Sequence, residues 1–137
     1  MKKSLHDAYL NTDYHVDAPD APFILNIGCY SPELDQLHHK AGVNCSLYIT
    51  AWNPYSEQQT DEKNNANQQL LISEISGVGL DMILGRGVAH RGDWPPEESV
   101  LVLGCDESSS IALGRKYLQH AVVFSGKNAI PQLINTK

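Results

Sequence analysis

The sequence predicts an α/β fold: a single domain with a mixed sheet of about five strands, built from two βαβ-like units plus a hairpin, with three main helices. The stretches Phe23 to Ile49 and Val100 to Phe124 each read as apolar strand, Gly-Cys pair (Gly28-Cys29, Gly104-Cys105), capped helix and second strand. That pattern predicts a right-handed parallel crossover in each. Between them, two apolar runs flank Gly92-Asp93-Trp94-Pro95-Pro96, the chemistry of a turn between antiparallel strands. The chain of 137 residues is long enough for one core and too short for two, so 1–137 reads as one globular domain, with 1–20 as an N-terminal arm.

Each element has a local reason. Ser4 to Tyr14 offers only Leu5, Tyr9 and Leu10 as apolar anchors, which fits a short helix or an ordered arm. The prolines of Asp17-Ala18-Pro19-Asp20-Ala21-Pro22 hold that segment as a loop. Phe23 to Ile27 is the first strand, ended by Gly28. Ser31-Pro32-Glu33 starts a helix, with Ser as cap, Pro at the first helical position and Glu at the positive end of the dipole. Leu34, Leu37 and Ala41 share its inner face, and Gly42 ends it.

The next strand, Cys45 to Trp52, alternates Leu47, Ile49 and Ala51 with Tyr48, Thr50 and Trp52 on opposite faces. It must stop at Asn53-Pro54, because proline has no amide hydrogen for a ladder. Thr60 with Asp61 and Glu62 then caps a helix running to about Ser76. Its stripe of Val78, Ile75 and Leu71 turns polar when continued back to Asn67 and Asn64. Gly77 and Gly79 close it. Leu80 to Arg91 reads as a strand in which Gly85 and Gly87 permit a bulge or close backbone approach. Ser99 to Leu103 is its antiparallel partner. Asp106 or Ser108 caps the last helix, which carries Ile111, Ala112, Leu113, Tyr117 and Leu118. Ala121 to Phe124 follows as a strand, and Ile130 to Ile134 as a short edge segment.

Composition narrows the function classes. Hydrophobic residues at 42% and charged residues at 19% fit a folded soluble chain. A net charge of −6 and ten scattered basic residues argue against a nucleic-acid groove. Three widely spaced cysteines form neither a disulfide framework nor a zinc pattern, and reduced thiols in a cytoplasmic protein are the expectation. Lys2-Lys3 precedes no apolar core of a signal peptide, and no run reaches membrane-spanning length, so no membrane partner is expected. Assembly of copies of this chain stays open.

The assembled motifs resemble a bacterial family, domain of unknown function 3293. The resemblance runs through Thr12-Asp13-Tyr14, Ile49-Thr50-Ala51-Trp52-Asn53-Pro54 with Ser56, and Asn64. It continues with Gly92-Asp93-Trp94-Pro95-Pro96-Glu97 and Ser99, Leu101 to Gly104, Ala112 to Arg115, and Gln119 with Ala121-Val122-Val123. Where the family tends to have Gly-Gln-Asn before its last strand, this chain has Leu118, Gln119 and His120. The resemblance implies no activity.

The candidate site is the Trp-Asn-Pro strand end, since open α/β sheets place ligands beyond strand carboxyl ends. Trp52, Asn53, Ser56 and Asn64, with Glu97 and Gln119, are the candidate ligand-binding residues for a polar small molecule. Asparagine donates and accepts hydrogen bonds but cannot move a proton, so Glu97 is the one candidate for acid–base work. Near Trp94 in an apolar mouth its pKa would rise. The alternative is structural: Asn53 caps the loop, Asn64 ties it to the helix, Trp52 is core, and Glu97 is a solvated turn carboxylate.

Cys29 and Cys105, each ahead of a capped helix, are candidate thiolates if parallel neighbouring strands bring them together; small buried thiols are the alternative. His38-His39 reads as a solvated pair at a helix end. His90 and His120 show no metal-ligand spacing, and neither metal nor cofactor is expected. Thr12, Tyr14 and Gln119 read as packing or hydrogen-bonding groups. No P-loop, dinucleotide fingerprint or nucleophile elbow is present. A non-enzymatic protein–protein interaction or regulatory module is the rival function.

Overall fold

The computed structural model describes residues 1–137 except Arg91 and Asp93. The expected strand end at Arg91 and the Asp93 position of the expected turn therefore lie outside the described residues. In chain order the elements are α1 (Lys3–Leu10), β1 (Thr12–Val16), β2 (Phe23–Leu25), α2 (Pro32–Ala41) and β3 (Ser46–Ile49). After a 3₁₀ turn at Pro54–Ser56 come α3 (Asp61–Gly77), β4 (Met82–Ala89), β5 (Glu97–Leu103), α4 (Glu107–Lys116), β6 (Ala121–Ser125) and β7 (Gln132–Asn135).

The helix boundaries follow local chemistry. The hydroxyl of Ser31 accepts from the Leu34 amide, Thr60 from Lys63 and the Asp106 carboxylate from Ser109, so three of the four helices carry a side-chain N-cap. Pro32 sits in the first turn of α2, and Gly42 ends it at φ 71°.

The strand count and the pairing differ from expectation. Among the described residues seven strands form one sheet in the order β2-β1-β4-β5-β3-β6-β7, with every neighbouring pair antiparallel. Neither βαβ-like unit makes a pair of parallel neighbours. β5 and β6 run in the same direction, as a βαβ unit requires, but β3 is inserted antiparallel between them. β2 and β3 also share a direction and are separated by three strands.

Beyond the five expected strands, β1 takes Thr12 and Tyr14 into the sheet rather than into an arm, and β7 forms the opposite edge, where a short edge segment over Ile130 to Ile134 is expected from sequence. There is also a fourth helix, α1. The expected antiparallel pairing of β4 with β5 is present, Gly85 opposite Ser99.

Both faces of the sheet centre are covered, which is why β3 is buried at every residue. On one face Leu47, Ile49, Val100 and Val102 pack under Leu71 and Ile75 of α3 and Leu113 of α4. Burying side chains such as Leu71 and Ile75 contributes roughly 1.5–3 kcal/mol each. On the other, Tyr14, Tyr48, Leu101 and Val123 meet Leu34 and Leu37 of α2. The sheet curls about this second face: past its two edges, the Gly28 amide donates to Pro131 O and the Ser31 amide to Ala129 O.

At Gly85 the strands approach so closely that a Cβ would lie 2.0 Å from His15 O and 2.9 Å from Tyr48 Oη. The sequence reading of this glycine as a close backbone approach therefore holds.

Candidate ligand-binding site

β3 leaves the sheet at Ile49, yet Ala51, Trp52 and Asn53 remain buried. Their backbone groups have no strand beside them and must be satisfied otherwise. The Ala51 amide donates to Gln68 Oε1 at 2.8 Å and the Asn53 amide to Asn64 Oδ1 at 2.9 Å. The Trp52 amide donates to Thr50 Oγ1 at 3.0 Å, and Gln119 Nε2 donates to Trp52 O at 3.1 Å.

This accounts for the polar stretch on the inner stripe of α3. Asn64 and Gln68, one turn apart, stand in for a missing sheet neighbour. The stripe runs Asn64, Gln68, Leu71, Ile75; the expected Asn67 is only half-buried, and Val78 is exposed past the helix end.

The chain then turns sharply. Asn53, Tyr55 and Ser56 all have positive φ, at 46°, 52° and 63°. Such left-handed non-glycine residues cost of order 1–3 kcal/mol each and persist only where surrounding contacts over-determine them. Here those contacts are the Tyr55 amide donating to Leu118 O and the Gln59 amide donating to Asn53 Oδ1.

The Asn53 amide group is oriented at both ends. Asn64 must turn Oδ1 to the Asn53 backbone N–H, so its Nδ2 donates to Asn53 Oδ1 at 2.9 Å. Asn53 Nδ2 is thereby directed to Glu97 Oε2, 2.7 Å away, which also accepts from the Trp94 indole N–H at 3.0 Å. Asn64, Asn53, Glu97 and Trp94 thus form one hydrogen-bonded chain.

Glu97 opens onto a cavity of about 430 Å³ on the Tyr48 face of the sheet. The cavity sits where the carboxyl ends of β3 and β4 meet the amino ends of β1, β5 and β6. Its aromatic lining is Tyr9 from α1, Tyr14, Tyr48 and Trp94; Gly87 opens its floor.

Tyr14 and Tyr48 pack edge to face, centroids 5.3 Å apart. Their hydroxyls are spent on backbone, donating to Tyr9 O and His15 O. Burial pushes the Glu97 carboxyl above the usual carboxylate range, against the opposing hydrogen bonds from Asn53 and Trp94. Burial, with the nearby Glu97 charge, pushes the Tyr9 phenol to about 12.

Of the residues singled out from sequence, Asn53, Ser56, Glu97 and Gln119 line this cavity. Trp52 and Asn64 do not: Trp52 is buried with its indole nitrogen unpaired among the described residues, and Asn64 is fully enclosed behind Asn53. Glu97 is half-buried beside Trp94 rather than a solvated turn carboxylate, whereas Trp52 in the core, Asn53 capping the loop at Gln59 and Asn64 tying that loop to α3 fit the structural alternative. Sequence reasoning missed Tyr9, Tyr14, Tyr48 and Gly87 as lining groups, because only the strand order brings β1, β3 and β4 to one mouth.

The thiol arrangement differs from its premise. β2 and β5 run in opposite directions with two strands between them, so parallel neighbours do not carry Cys29 and Cys105 together. Cys105 is buried, which raises its thiol pKa rather than lowering it.

His38 is also not a surface group. It is buried, with Nε2 2.8 Å from Ser46 Oγ, while His39 is exposed. His90 pairs with Asp13 at 2.7 Å. Among the described residues no three His, Cys, Asp or Glu side chains converge on a metal-sized site, and no helix is long and apolar enough to cross a membrane.

The chain belongs to the family described as Protein of unknown function (DUF3293), whose model matches residues 49–122, more than half of its length. That span runs from the end of β3 into β6 and contains Asn53, Ser56, Asn64, Glu97 and Gln119. No curated protein and no solved structure matches the chain.

Proposed function

We propose that this protein binds a small molecule in the cavity at the Trp-Asn-Pro strand end, with Glu97 as its polar centre. The observation that carries this reading is the hydrogen-bonded chain from Asn64 through Asn53 to Glu97. It holds a half-hidden carboxylate at one angle, beside backbone that is strained at three positions. Strain maintained next to an enclosed titratable group is how binding and catalytic sites are commonly built. A volume near 430 Å³ lies within the range of small-ligand pockets, roughly 300–1,000 Å³.

Glu97 is also the group equipped for acid–base chemistry. Oε2 accepts from two donors, so a proton on this carboxyl resides on Oε1. A carboxyl with raised pKa, carrying its proton on the oxygen free of those two bonds, can exchange it with a bound substrate.

The test is a thermal-shift screen of small metabolites on three proteins: wild type, Glu97→Gln and Gly87→Val. A Cβ at Gly87 meets only ordinary contacts, 3.6 Å to Thr12 and 3.9 Å to Tyr14, so the strand admits a side chain there, and the methyls of valine extend it to narrow the cavity; an unchanged far-UV spectrum of the variant checks that the sheet is kept. Compounds that stabilise the wild type and lose their effect on both variants support the reading. Compounds that stabilise all three alike, or no stabilising compound at all, sink it.

A second reading rests on a separate surface. Ile24 and Leu84, 44% and 55% exposed, lie on the part of the sheet that α3 and α4 leave uncovered. This favours an interaction module that docks another protein chain there. Sedimentation and pull-down behaviour unchanged by Leu84→Asp would reject it.

A further inference from the structure

Glu97 has an electrostatic peculiarity. Both of its hydrogen-bond donors among the described residues, the Asn53 amide and the Trp94 indole, are neutral. Among the described lining residues there is no lysine, arginine or histidine, and the other charged one, Asp7 of α1, is again a carboxylate. An enclosed carboxylate is costly unless a countercharge meets it. The lining also includes three tyrosines and a tryptophan, whose ring faces attract cations. Tyr14 and Tyr48 have no free hydroxyl hydrogen to offer an anion, since both are donated to backbone.

On the reading that this cavity binds a small molecule, we infer that the ligand is a small organic cation, an ammonium or amidinium on an apolar body. Its charge sits against Glu97 Oε1 and its body against the Tyr9, Tyr14, Tyr48 and Trp94 rings. The cation supplies the countercharge that the described lining lacks, and the neutral donors on Oε2 keep the carboxylate turned towards it. An anionic ligand would meet two carboxylates and no described positive group, and a neutral one would leave protonation as the way for Glu97 to shed its charge.

The experiment uses matched triples on a common body: 2-phenylethylamine, 2-phenylethanol and phenylacetate, then the cyclohexyl and n-butyl equivalents. Binding to the full chain is followed by calorimetry and by the Trp94 indole N–H resonance, which reports the bond to Glu97. The expected result is that each amine binds at least roughly tenfold more tightly than its alcohol. The carboxylate should not bind, and Glu97→Gln should erase the preference for the amine while Val78→Asp, at an exposed position outside the cavity lining, keeps it.

Alcohols or carboxylates that bind as tightly as the amines, and shift Trp94, would overturn the cation assignment while leaving the pocket reading intact. Failure of every member to perturb Trp94, while screening hits of other chemistry are blocked by Gly87→Val, would also overturn the cation assignment alone. If in addition no screening hit is blocked by Gly87→Val, both readings fail.

Discussion

Asn64 and Asn53 bond to each other twice: the Asn64 carboxamide accepts from the Asn53 backbone amide and donates to the Asn53 side-chain oxygen, both at 2.9 Å. The pair turns the Asn53 Nδ2 towards Glu97, so a residue that never touches the cavity sets the direction of the carboxyl that does.

Asn64→Asp tests this directionality. The aspartate keeps an acceptor for the Asn53 amide but places its second oxygen against Asn53 Oδ1. The expected outcome is reversal of the Asn53 carboxamide, loss of the bond to Glu97, and a stability loss of about 1–3 kcal/mol by urea denaturation. Asn64→Leu should cost a similar amount by leaving the Asn53 amide unsatisfied. An Asn64→Asp protein with wild-type stability and an unshifted Trp94 indole resonance would contradict the account.

Glu97→Gln should stabilise the protein near neutral pH, because a glutamine oxygen can accept from Asn53 and Trp94 without the cost of an enclosed charge. A gain on the order of 1 kcal/mol corresponds to roughly 3–5 °C in Tm. The sign with pH follows from the raised pKa of Glu97. Above the ordinary carboxyl pKa of 4.5 and up to its folded value, the folded state holds the proton more tightly than the unfolded one, so this group's contribution falls as pH rises. The wild-type minus variant difference in Tm should show that slope between pH 4 and pH 8, and a flat difference would refute it.

Gly85 and Gly87 are two residues apart and should respond oppositely to alanine. At Gly85 the new methyl would stand 2.0 Å from a carbonyl oxygen, whereas at Gly87 the nearest atom is 3.6 Å away. Gly85→Ala is expected to destabilise by about 3 kcal/mol or more, or to prevent folding, while Gly87→Ala stays within about 0.5 kcal/mol of wild type. Chemical denaturation of the two variants checks this.

Leu118 adopts φ 56° while 42% exposed. Its carbonyl accepts from Tyr55, so the strain is tied to the turn after Asn53. Leu118→Gly removes the steric cost of a left-handed side chain, and a gain of up to about 1 kcal/mol in unfolding free energy is expected. A loss of similar size would mean that the leucine packs more than its exposure indicates.

Buried His38 makes the fold sensitive to acid. Burial lowers its pKa below 6.5, opposed only by Asp35, so the unfolded chain takes up the proton first as pH falls. Its contribution is intact above pH 6.5 and is lost between there and the folded value. His38→Gln should flatten the decline in Tm below pH 6.5, and an unchanged profile would exclude His38 as its source.

Much of the fold could be read from neighbouring residues along the chain. The caps at Ser31, Thr60 and Asp106, the two faces of β3 and the close approach at Gly85 are each set by residues within a few positions, acting on backbone geometry, whereas β3 ends at Ile49, short of the stop expected at Asn53-Pro54. That Asn64 and Glu97 would need hydrogen-bond partners was visible, because an amide on an inner helical stripe and a carboxylate beside a buried strand both demand them. The identity of those partners was not visible.

Strand order was beyond reach for a physical reason. A strand apolar on both faces is buried equally well between antiparallel or parallel neighbours, so β3 carries no mark of being inserted between β5 and β6. The lesser strands gave still less: β1 has only two buried residues and lies in a stretch that helix or arm fits equally well. The cavity follows from that order. Tyr9, Tyr14, Tyr48 and Gly87 become neighbours of Glu97 only when β1, β4, β5 and β3 lie side by side. The sequence by itself determined which backbone groups would need partners and which side chains could serve them. Only tertiary pairing decided which of those side chains would be spent on the fold and which carboxyl would be left facing an open space.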